Sequence, residues 1–139
     1  MTMVEVQTDA LIGPALDWVI ATIEELPIRY DPMGFGNNAN GGYWVWDDSP
    51  GGQMAKIGVQ YSPSTNWSQL GPLIEKRSVV LGNHESGDAS GQPEFWGSAH
   101  CFDSGTSFQT YKGIKVAACR AIVAKELGQV VQVPQLLAS

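Results

Sequence analysis

The chain contains one stretch that directs the prediction of its fold and function, Tyr61-Ser62-Pro63-Ser64-Thr65-Asn66-Trp67-Ser68-Gln69, which continues into Gly71-Pro72-Leu73-Ile74-Glu75. It brings hydroxyls, amides and two aromatic rings together beside two prolines. Such polar groups are costly in a core, because an unpaired buried group costs about 1–3 kcal/mol. They are well suited to contacts with a small polar ligand.

Two interpretations of this stretch stay open at the level of sequence. In the first, Ser64 or Thr65 caps a helix that runs to about Lys76, and the other polar groups only close the turn before it. In the second, the polar groups bind phosphate, ribose or a base edge, and the first N–H groups of the helix bind an anion. The candidate contacts of this second interpretation are Tyr61, Ser62, Ser64, Thr65, Asn66 and Trp67. Pro72 predicts a kink in the helix, or two short helical pieces.

The same stretch carries a resemblance to a known family. The order YSPSTNW…GPLIE is similar to the YSPSTDW…GPIIE run of the phage NinX-like family, a set of small bacteriophage proteins of unknown function. Ala15-Leu16-Asp17-Trp18 resembles the ALDWAV opening helix of that family. Ala117-Ala118-Cys119-Arg120 through Glu126-Leu127-Gly128 resembles its AAMRCYVASKLG closing helix, and the three blocks stand in family order within residues 11–134. The resemblance implies a phage protein and no particular activity.

The composition describes one acidic domain. We expect the 139 residues to form a single domain, residues 1–139, because a chain of this length can bury an independent core. The formal net charge is −6. Because a nucleic-acid-binding protein needs a basic surface to neutralise phosphates, we expect no nucleic-acid partner.

The sequence shows no pattern typical of a targeting or membrane segment. No apolar run approaches the roughly 20 residues of a membrane span. The N-terminal residues lack a basic region followed by an apolar one, so we predict no signal peptide. We therefore expect a cytoplasmic protein, in the host cytoplasm if it is encoded by a phage, with no membrane partner.

Patterns for catalysis or metal binding are weak. Cys101 and Cys119 are expected to be small buried thiols. Together with His84, His100 and Asp103 they show no spacing typical of a metal site. No candidate nucleophile in the family-like blocks has a base beside it. We therefore expect no metal, no cofactor and no enzymatic activity.

The order of predicted elements indicates an α+β fold, a small and mainly antiparallel sheet packed with about three helices. Helices are predicted from Gly13-Pro14 to Pro27, from Ser64 or Thr65 to about Lys76, and from Lys112 to Leu127, where Gly128 ends the last one. Strands are predicted at Tyr43–Trp46, Met54–Gln60, Val79–Leu81, Phe95–Phe102 and Val130–Val133, with residues 1–10 as a leading arm or strand. Long loops are predicted at residues 31–42, 82–93 and 103–110.

Three further side chains, Trp18, Glu75 and Arg120, are candidates for a site. Arg120 stands among apolar residues of the last helix, so it either extends to solvent or needs an anion. That anion is an internal carboxylate, Glu75 or Asp17, or a phosphate of a ligand. Trp18 is either a core anchor or a stacking platform for a ring. Asp17, with Ala21, Glu24 and Glu25, is predicted to form the wetter face of the first helix.

Three classes of function fit these features. The first is a binding protein that sequesters a nucleotide-derived signal of host antiviral defence, such as a cyclic nucleotide or an ADP-ribose derivative, without chemistry. Its predicted ligand contacts are Trp18, Tyr61, Ser62, Ser64, Thr65, Asn66, Trp67, Glu75 and Arg120. The second is a protein-interaction factor that inhibits a host or phage enzyme, with Trp44 and Trp46 as anchors. The third is a nucleotide-processing enzyme. We also expect a homo-oligomer, because the alanine-rich last helix can pack against a copy of itself.

Overall fold

The computed structural model describes residues 2–32, 42–87, 93–102, 107–110 and 112–138. In these ranges three α-helices form: α1 Gly13–Ile23, α2 Trp67–Arg77 and α3 Ile114–Leu127. Eight strands accompany them: β1 Met3–Gln7, β2 Ile28–Asp31, β3 Gly42–Trp46, β4 Met54–Lys56, β5 Val79–Gly87, β6 Pro93–Cys101, β7 Ser107–Thr110 and β8 Val130–Pro134. This architecture confirms the predicted α+β class.

The strands form three small antiparallel sheets where the sequence predicted one. The sheets are β1–β8, β2–β3–β4 and β5–β6–β7. The first joins the two ends of the chain, with Val4 opposite Val133 and Val6 opposite Val131. Thr8 strengthens this closure, since its hydroxyl donates to the carbonyl of Gly128 over 2.7 Å. Strands β1 and β8 pair over a long sequence separation, whereas the other two sheets join strands that are consecutive along the chain. A local pattern does not encode whether such strands merge into one sheet.

Helix α3 lies at the centre of the fold. It packs against β5, β6 and β7 and also contacts α1 and α2. Every residue from Val116 to Val123 is buried. A helix that is apolar on all sides is expected in the interior, and α3 follows that rule. Arg120 lies in the middle of this run and is only 7% exposed.

Helix α1 is covered on two sides, and this overturns the predicted wet face. Asp17 and Ala21 were predicted on that face, yet they are 1% and 0% exposed. One side of the helix packs into the main core, while Ala21 packs with Tyr43 and Ile57 in a second cluster. The predicted wet residue Glu24 forms ion pairs with Lys76 and Arg77. The helix ends at Ile23, before Pro27 is reached.

Two loop predictions were wrong where polar segments pair as strands. In the predicted loop 82–93, β5 continues to Gly87 and β6 begins at Pro93, and the two strands pair along their length. In the predicted loop 103–110, residues 107–110 form β7 beside β6. Asn83, His84 and Glu85 are exposed, so main-chain pairing holds this part of β5 without an apolar pattern. Residues 88–92 and 103–106 lie outside the described residues.

The predicted hairpin of residues 43–60 is shorter than expected. Strands β3 and β4 pair, but β4 ends at Lys56. The carbonyl of Lys56 accepts hydrogen bonds from the N–H groups of residues 59–61, so the chain turns there. Ile57 is therefore buried and Val59 is 63% exposed, although both were predicted on one face. Asp31 and Gly42, the first and last residues of the predicted loop 31–42, belong to strands β2 and β3. Residues 33–41 lie outside the described residues.

Helix α2 begins one or two residues later than predicted. Asn66 is its N-cap, since the Asn66 side chain accepts a hydrogen bond from the N–H of Ser68 over 2.9 Å. Ser64 lies in the preceding turn. The helix continues through Pro72, which excludes two separate pieces, while the alternative of a kink stays a prediction. A proline inside a helix has no N–H to donate to the carbonyl four residues earlier, so one helical hydrogen bond is lost there.

We expect Asn66→Ala to lower the free energy of unfolding by about 1 kcal/mol, the usual cost of losing an N-cap. Urea denaturation measures this difference. Thr65→Ala is the matched control, because Thr65 is exposed and its hydroxyl makes only a long bond of 3.3 Å to the Ser62 carbonyl. A larger loss for Thr65→Ala than for Asn66→Ala would contradict the assignment of the cap.

Candidate functional site

A cavity of about 370 Å³ lies where three distant segments of the chain meet. The segments are the turn that precedes α2, the start of α1 and the start of α3. Its lining residues are Ile12, Gly13, Ser64, Thr65, Lys112, Gly113, Ile114, Lys115 and Val116. We call this space the Ser64 cavity. Two of the predicted ligand contacts, Ser64 and Thr65, lie in its wall.

Hydrogen bonds hold the turn that presents Ser64. The N–H of Thr65 donates to the carbonyl of Ser62 over 2.9 Å. The N–H of Ser62 donates to the side-chain oxygen of Gln69 over 2.6 Å. The N–H of Ser64 donates to the carboxylate of Asp17 on α1 over 2.9 Å. Much of the polar stretch therefore stabilises the turn itself, as the first interpretation of the sequence predicted.

The Ser64 hydroxyl is the exception within this turn. Ser64 is 3% exposed, and among the described residues its Oγ has no partner at hydrogen-bonding geometry. A buried hydroxyl without a partner costs about 1–3 kcal/mol of folding free energy. A ligand atom in the cavity could accept its hydrogen bond and remove that cost.

Asp17 supports the turn from behind. Its carboxyl group is 1% exposed, and burial raises its pKa to about 6. The N–H of Ser64 and the nearby Ser64 hydroxyl act in the opposite direction and lower this pKa. The hydroxyl is thus close to the carboxylate, although the two do not form a hydrogen bond of normal geometry.

Two helix N-termini open onto the cavity. The N-cap of α1 is Ile12 and that of α3 is Gly113, and neither helix has a capping side chain or an acidic residue in its first turn. The first N–H groups of a helix lack partners inside the helix and carry a partial positive charge, so they attract anions. Lys112 and Lys115 add two full positive charges to the wall, and none of the lining residues is acidic. The cavity is therefore a basic site on an acidic protein.

An aromatic ring lies beside this basic wall. The ammonium group of Lys115 lies 4.9 Å from the ring centroid of Trp67, a cation–π distance. Trp67 is the first residue of α2 and is 45% exposed. Lys115 thus connects the cavity to a predicted stacking residue.

Close backbone contacts place the two helix starts. A Cβ atom at Gly97 of β6 would lie 2.7 Å from the main-chain nitrogen of Ile114. A Cβ atom at Gly58 would lie 2.6 Å from Cγ of Pro14. Because these distances are shorter than van der Waals contact, only glycine lets the start of α3 and the start of α1 approach so closely.

Arg120 supports the wall of the cavity through a hydrogen bond to the main chain. Its Nε donates to the carbonyl of Leu11 over 2.8 Å, so its bonded partner is neither Glu75 nor Asp17. Leu11 directly precedes Ile12 in the cavity wall. Burial lowers the pKa of the Arg120 guanidinium, and the charge of Asp9 opposes that effect. The predicted contact between Arg120 and a ligand stays a prediction.

The other predicted contacts lie away from the Ser64 cavity. Trp18 lines a separate space of about 260 Å³ with Leu127. Tyr61 packs against the second cluster, and burial raises the pKa of its hydroxyl. Glu75 is exposed on α2. The turn therefore joins α1 and α3 at one site, while these three side chains are not part of its wall.

The sequence interpretation missed the basic half of the site. Lys112-Gly113-Ile114-Lys115 carries a signal that could have been used, a glycine without a capping side chain between two lysines at a helix start. The prediction instead placed the anion-binding N-terminus on α2. That end of α2 is occupied by the Asn66 side chain.

The cysteines considered for metal binding are buried, and so is Trp44, which was considered for a protein contact. Cys101 and Cys119 are buried, as predicted, and burial raises the pKa of the Cys119 thiol. Among the described residues no cluster of three His, Cys, Asp or Glu side chains could hold a metal. Trp44, predicted as an exposed anchor, is 7% exposed. Within the described ranges, no helix is both long and apolar enough to span a membrane.

Comparison with protein families decides the relationship suggested by the three sequence blocks. The family described as Bacteriophage P22, NinX matches residues 7–126. The chain belongs to the phage NinX family. The match covers the turn and both helix starts of the Ser64 cavity. Neither a curated protein nor a solved structure matches the chain.

Proposed function

We propose that this NinX-family protein is a small phage-type binding protein that holds a nucleotide-derived ligand in the Ser64 cavity without changing it. The role that fits such a protein is sequestration of a host defence signal, of the cyclic-nucleotide or ADP-ribose type. The observation that carries the proposal is the meeting of two helix N-termini without capping side chains and a buried hydroxyl without a partner. All three features suit a phosphate group.

The surroundings suit the remainder of a nucleotide. The cavity volume of about 370 Å³ lies in the lower part of the roughly 300–1,000 Å³ range of small-molecule sites. Trp67 offers a partly exposed ring next to Lys115. A base that stacks on this ring would lie close to a phosphate held by Lys115.

Binding without chemistry is favoured by the absence of histidine from the described residues that line the cavity. Among the described residues, Asp17 is the titratable side chain bonded to the turn, through the N–H of Ser64, and burial raises its pKa to about 6. A carboxylate of that pKa is a competent general base, so Asp17 is the residue that would activate Ser64 if the enzyme alternative held. The interaction-factor alternative has lost one of its two predicted anchors, because Trp44 is buried.

Native mass spectrometry of protein purified from infected or defence-active cells tests this function. We expect a bound phosphate-containing small molecule that is released intact on denaturation, together with the mass of a homo-oligomer. A chemically altered nucleotide would support the enzyme class. Absence of any small molecule, together with a host protein in a pull-down, would support the interaction factor.

We expect Trp67→Ala to weaken nucleotide binding by about 1–3 kcal/mol, the usual contribution of one base–aromatic stack. Binding should also change the tryptophan fluorescence of the wild-type protein. The matched control is Trp46→Ala, because Trp46 likewise lies under a cation, with Arg29 4.6 Å from its ring centroid, but belongs to β3. An equal loss of affinity in both variants would argue against stacking on Trp67.

A further inference from the structure

We infer that the Ser64 cavity binds a terminal phosphate, a phosphate monoester with three free oxygens, in preference to the phosphodiester of a cyclic nucleotide. This inference rests on the proposed function for the site and for a nucleotide-derived ligand, and within that class it excludes the cyclic nucleotides. It follows from the charge of the cavity wall and from the three segments that supply its donors.

The charge of the wall matches a doubly negative group. Lys112 and Lys115 each contribute one positive charge. Each helix N-terminus adds about half a charge, so the total is about +3. The Asp17 carboxylate behind Ser64 offsets about one of these charges. A phosphate monoester carries about −1.5 to −2 at pH 7, whereas the phosphodiester of a cyclic nucleotide carries about −1 and would leave positive charge uncompensated.

The donors come from three segments of the chain. The Ser64 hydroxyl belongs to the turn, and the main-chain N–H donors belong to the first turns of α1 and α3, where Pro14 of α1 has no N–H. Three segments that converge on one space suit a group with three free oxygens, one for each segment. A phosphodiester has only two such oxygens and would leave one segment without an acceptor.

Lys115 links the phosphate to the rest of the ligand. Its ammonium group lies over Trp67, an interaction that is weak at an exposed site. A phosphate in the cavity is a stronger partner for the ammonium, because charge-assisted hydrogen bonds are about twice as strong as neutral ones. When Lys115 turns to the phosphate it uncovers the Trp67 ring, which can then stack on a base.

Isothermal titration calorimetry with matched ligands tests the inference. The ligands are adenosine 5′-monophosphate, 3′,5′-cyclic adenosine monophosphate, ADP-ribose, ribose 5-phosphate and adenosine. We expect the 5′-monophosphate to bind at least about tenfold more tightly than the cyclic compound, because only the monophosphate adds a second negative charge and a third free oxygen. Equal or tighter binding of the cyclic compound would overturn the inference and leave the proposed function standing. ADP-ribose, whose diphosphate carries about −2, tests the ligand class of the proposed function.

Other outcomes separate the two proposals further. If ribose 5-phosphate binds as tightly as the 5′-monophosphate, the terminal-phosphate site is supported and the nucleotide part of the proposed function fails. If none of the phosphate compounds binds, the inference is overturned. If adenosine alone binds as well as the 5′-monophosphate, the phosphate contributes nothing and the inference is again overturned.

Three variants check that binding uses this cavity. We expect each of three variants, Ser64→Ala, Lys112→Ala and Lys115→Ala, to bind the 5′-monophosphate more weakly than the wild type does. Each should also reduce the ratio of the two affinities, that for the 5′-monophosphate over that for the cyclic compound. For Lys115→Ala this ratio should fall below about threefold. The control is Lys76→Ala, an exposed lysine of α2 that pairs with Glu24 and does not line the cavity. Thermal melts confirm that each variant is folded. Unchanged selectivity in all three folded variants would overturn the inference.

Discussion

Replacing Arg120 with alanine is expected to lower the free energy of unfolding by about 2–5 kcal/mol, the range for truncating a large buried side chain. Arg120 is 7% exposed within the core helix α3. Its Nε holds the carbonyl of Leu11, which is itself 1% exposed. The variant therefore creates a void and leaves a buried carbonyl without that donor. Urea denaturation, analysed for both midpoint and slope, measures the loss.

Two further variants separate the causes. Arg120→Met keeps much of the volume and removes the hydrogen bond, so we expect a loss of about 1–3 kcal/mol, close to that of one unpaired buried group. Gln132→Ala is the surface control, because Gln132 is exposed on β8. If Arg120 instead contacts a ligand phosphate, Arg120→Ala should melt like the wild type and lose binding. Wild-type melting together with wild-type binding would contradict both roles.

Replacing Asp17 with asparagine is expected to raise the free energy of unfolding at pH 8 by up to about 3 kcal/mol. Burial raises the pKa of this carboxyl from 3.8 to about 6 in the folded protein. At pH 8 the folded protein must therefore keep a buried charge, which the variant removes. The asparagine Oδ1 can still accept the hydrogen bond from the N–H of Ser64.

The sign of the pH dependence follows from proton binding. Below pH 3.8 the carboxyl is protonated in both the folded and the unfolded chain. No charge is then buried on folding, so this group lowers the free energy of unfolding least in that range. Between pH 3.8 and about 6 the folded protein holds a proton that the unfolded chain has lost, so stability falls as pH rises. Above about pH 6 the carboxyl is ionised in both states, and the free energy of unfolding no longer falls through this group. We expect Asp17→Asn to remove this slope.

Asp47→Asn is the matched control for this measurement. Asp47 is partly exposed, and hydrogen bonds from Ser49 lower its pKa, so its contribution to the slope has the opposite sign and lies mainly below pH 4. Denaturation curves of the three proteins across pH 3–8 give the comparison. A wild-type protein whose stability rises between pH 4 and 6 while Asp17→Asn shows the same rise would contradict the raised pKa.

Much of the helical structure was predictable because its causes are local. Gly13-Pro14 and Gly128 mark helix ends by their own backbone preferences, and α1 and α3 were placed within a few residues. The apolar neighbours of Arg120 correctly indicated an unusual arginine. The N-cap of α2 was less certain, since Ser64, Thr65 and Asn66 are all capable caps and only the geometry of the turn selects Asn66.

The strands of the second half were less predictable than the helices. The part of β5 assigned to a loop carries polar side chains, and β7 has a single buried apolar residue, Phe108, so no alternation of apolar residues marks them. Their stability comes from hydrogen bonds to the neighbouring strand β6. Pairing of this kind depends on the partner as much as on the residues themselves.

The family, the α+β class and the polar turn at Ser64 could be read from the amino-acid order, because they depend on periodicity and turn chemistry within short segments. The site could not, because it forms where distant segments pack together. The Ser64 cavity joins residues 12–13, 64–65 and 112–116, and its two helix starts meet because α1 packs against α3. Asp17 is buried for the same reason, since two clusters cover opposite sides of its helix. A helical pattern shows which residues share a face, and the packing of the whole chain decides which faces are covered.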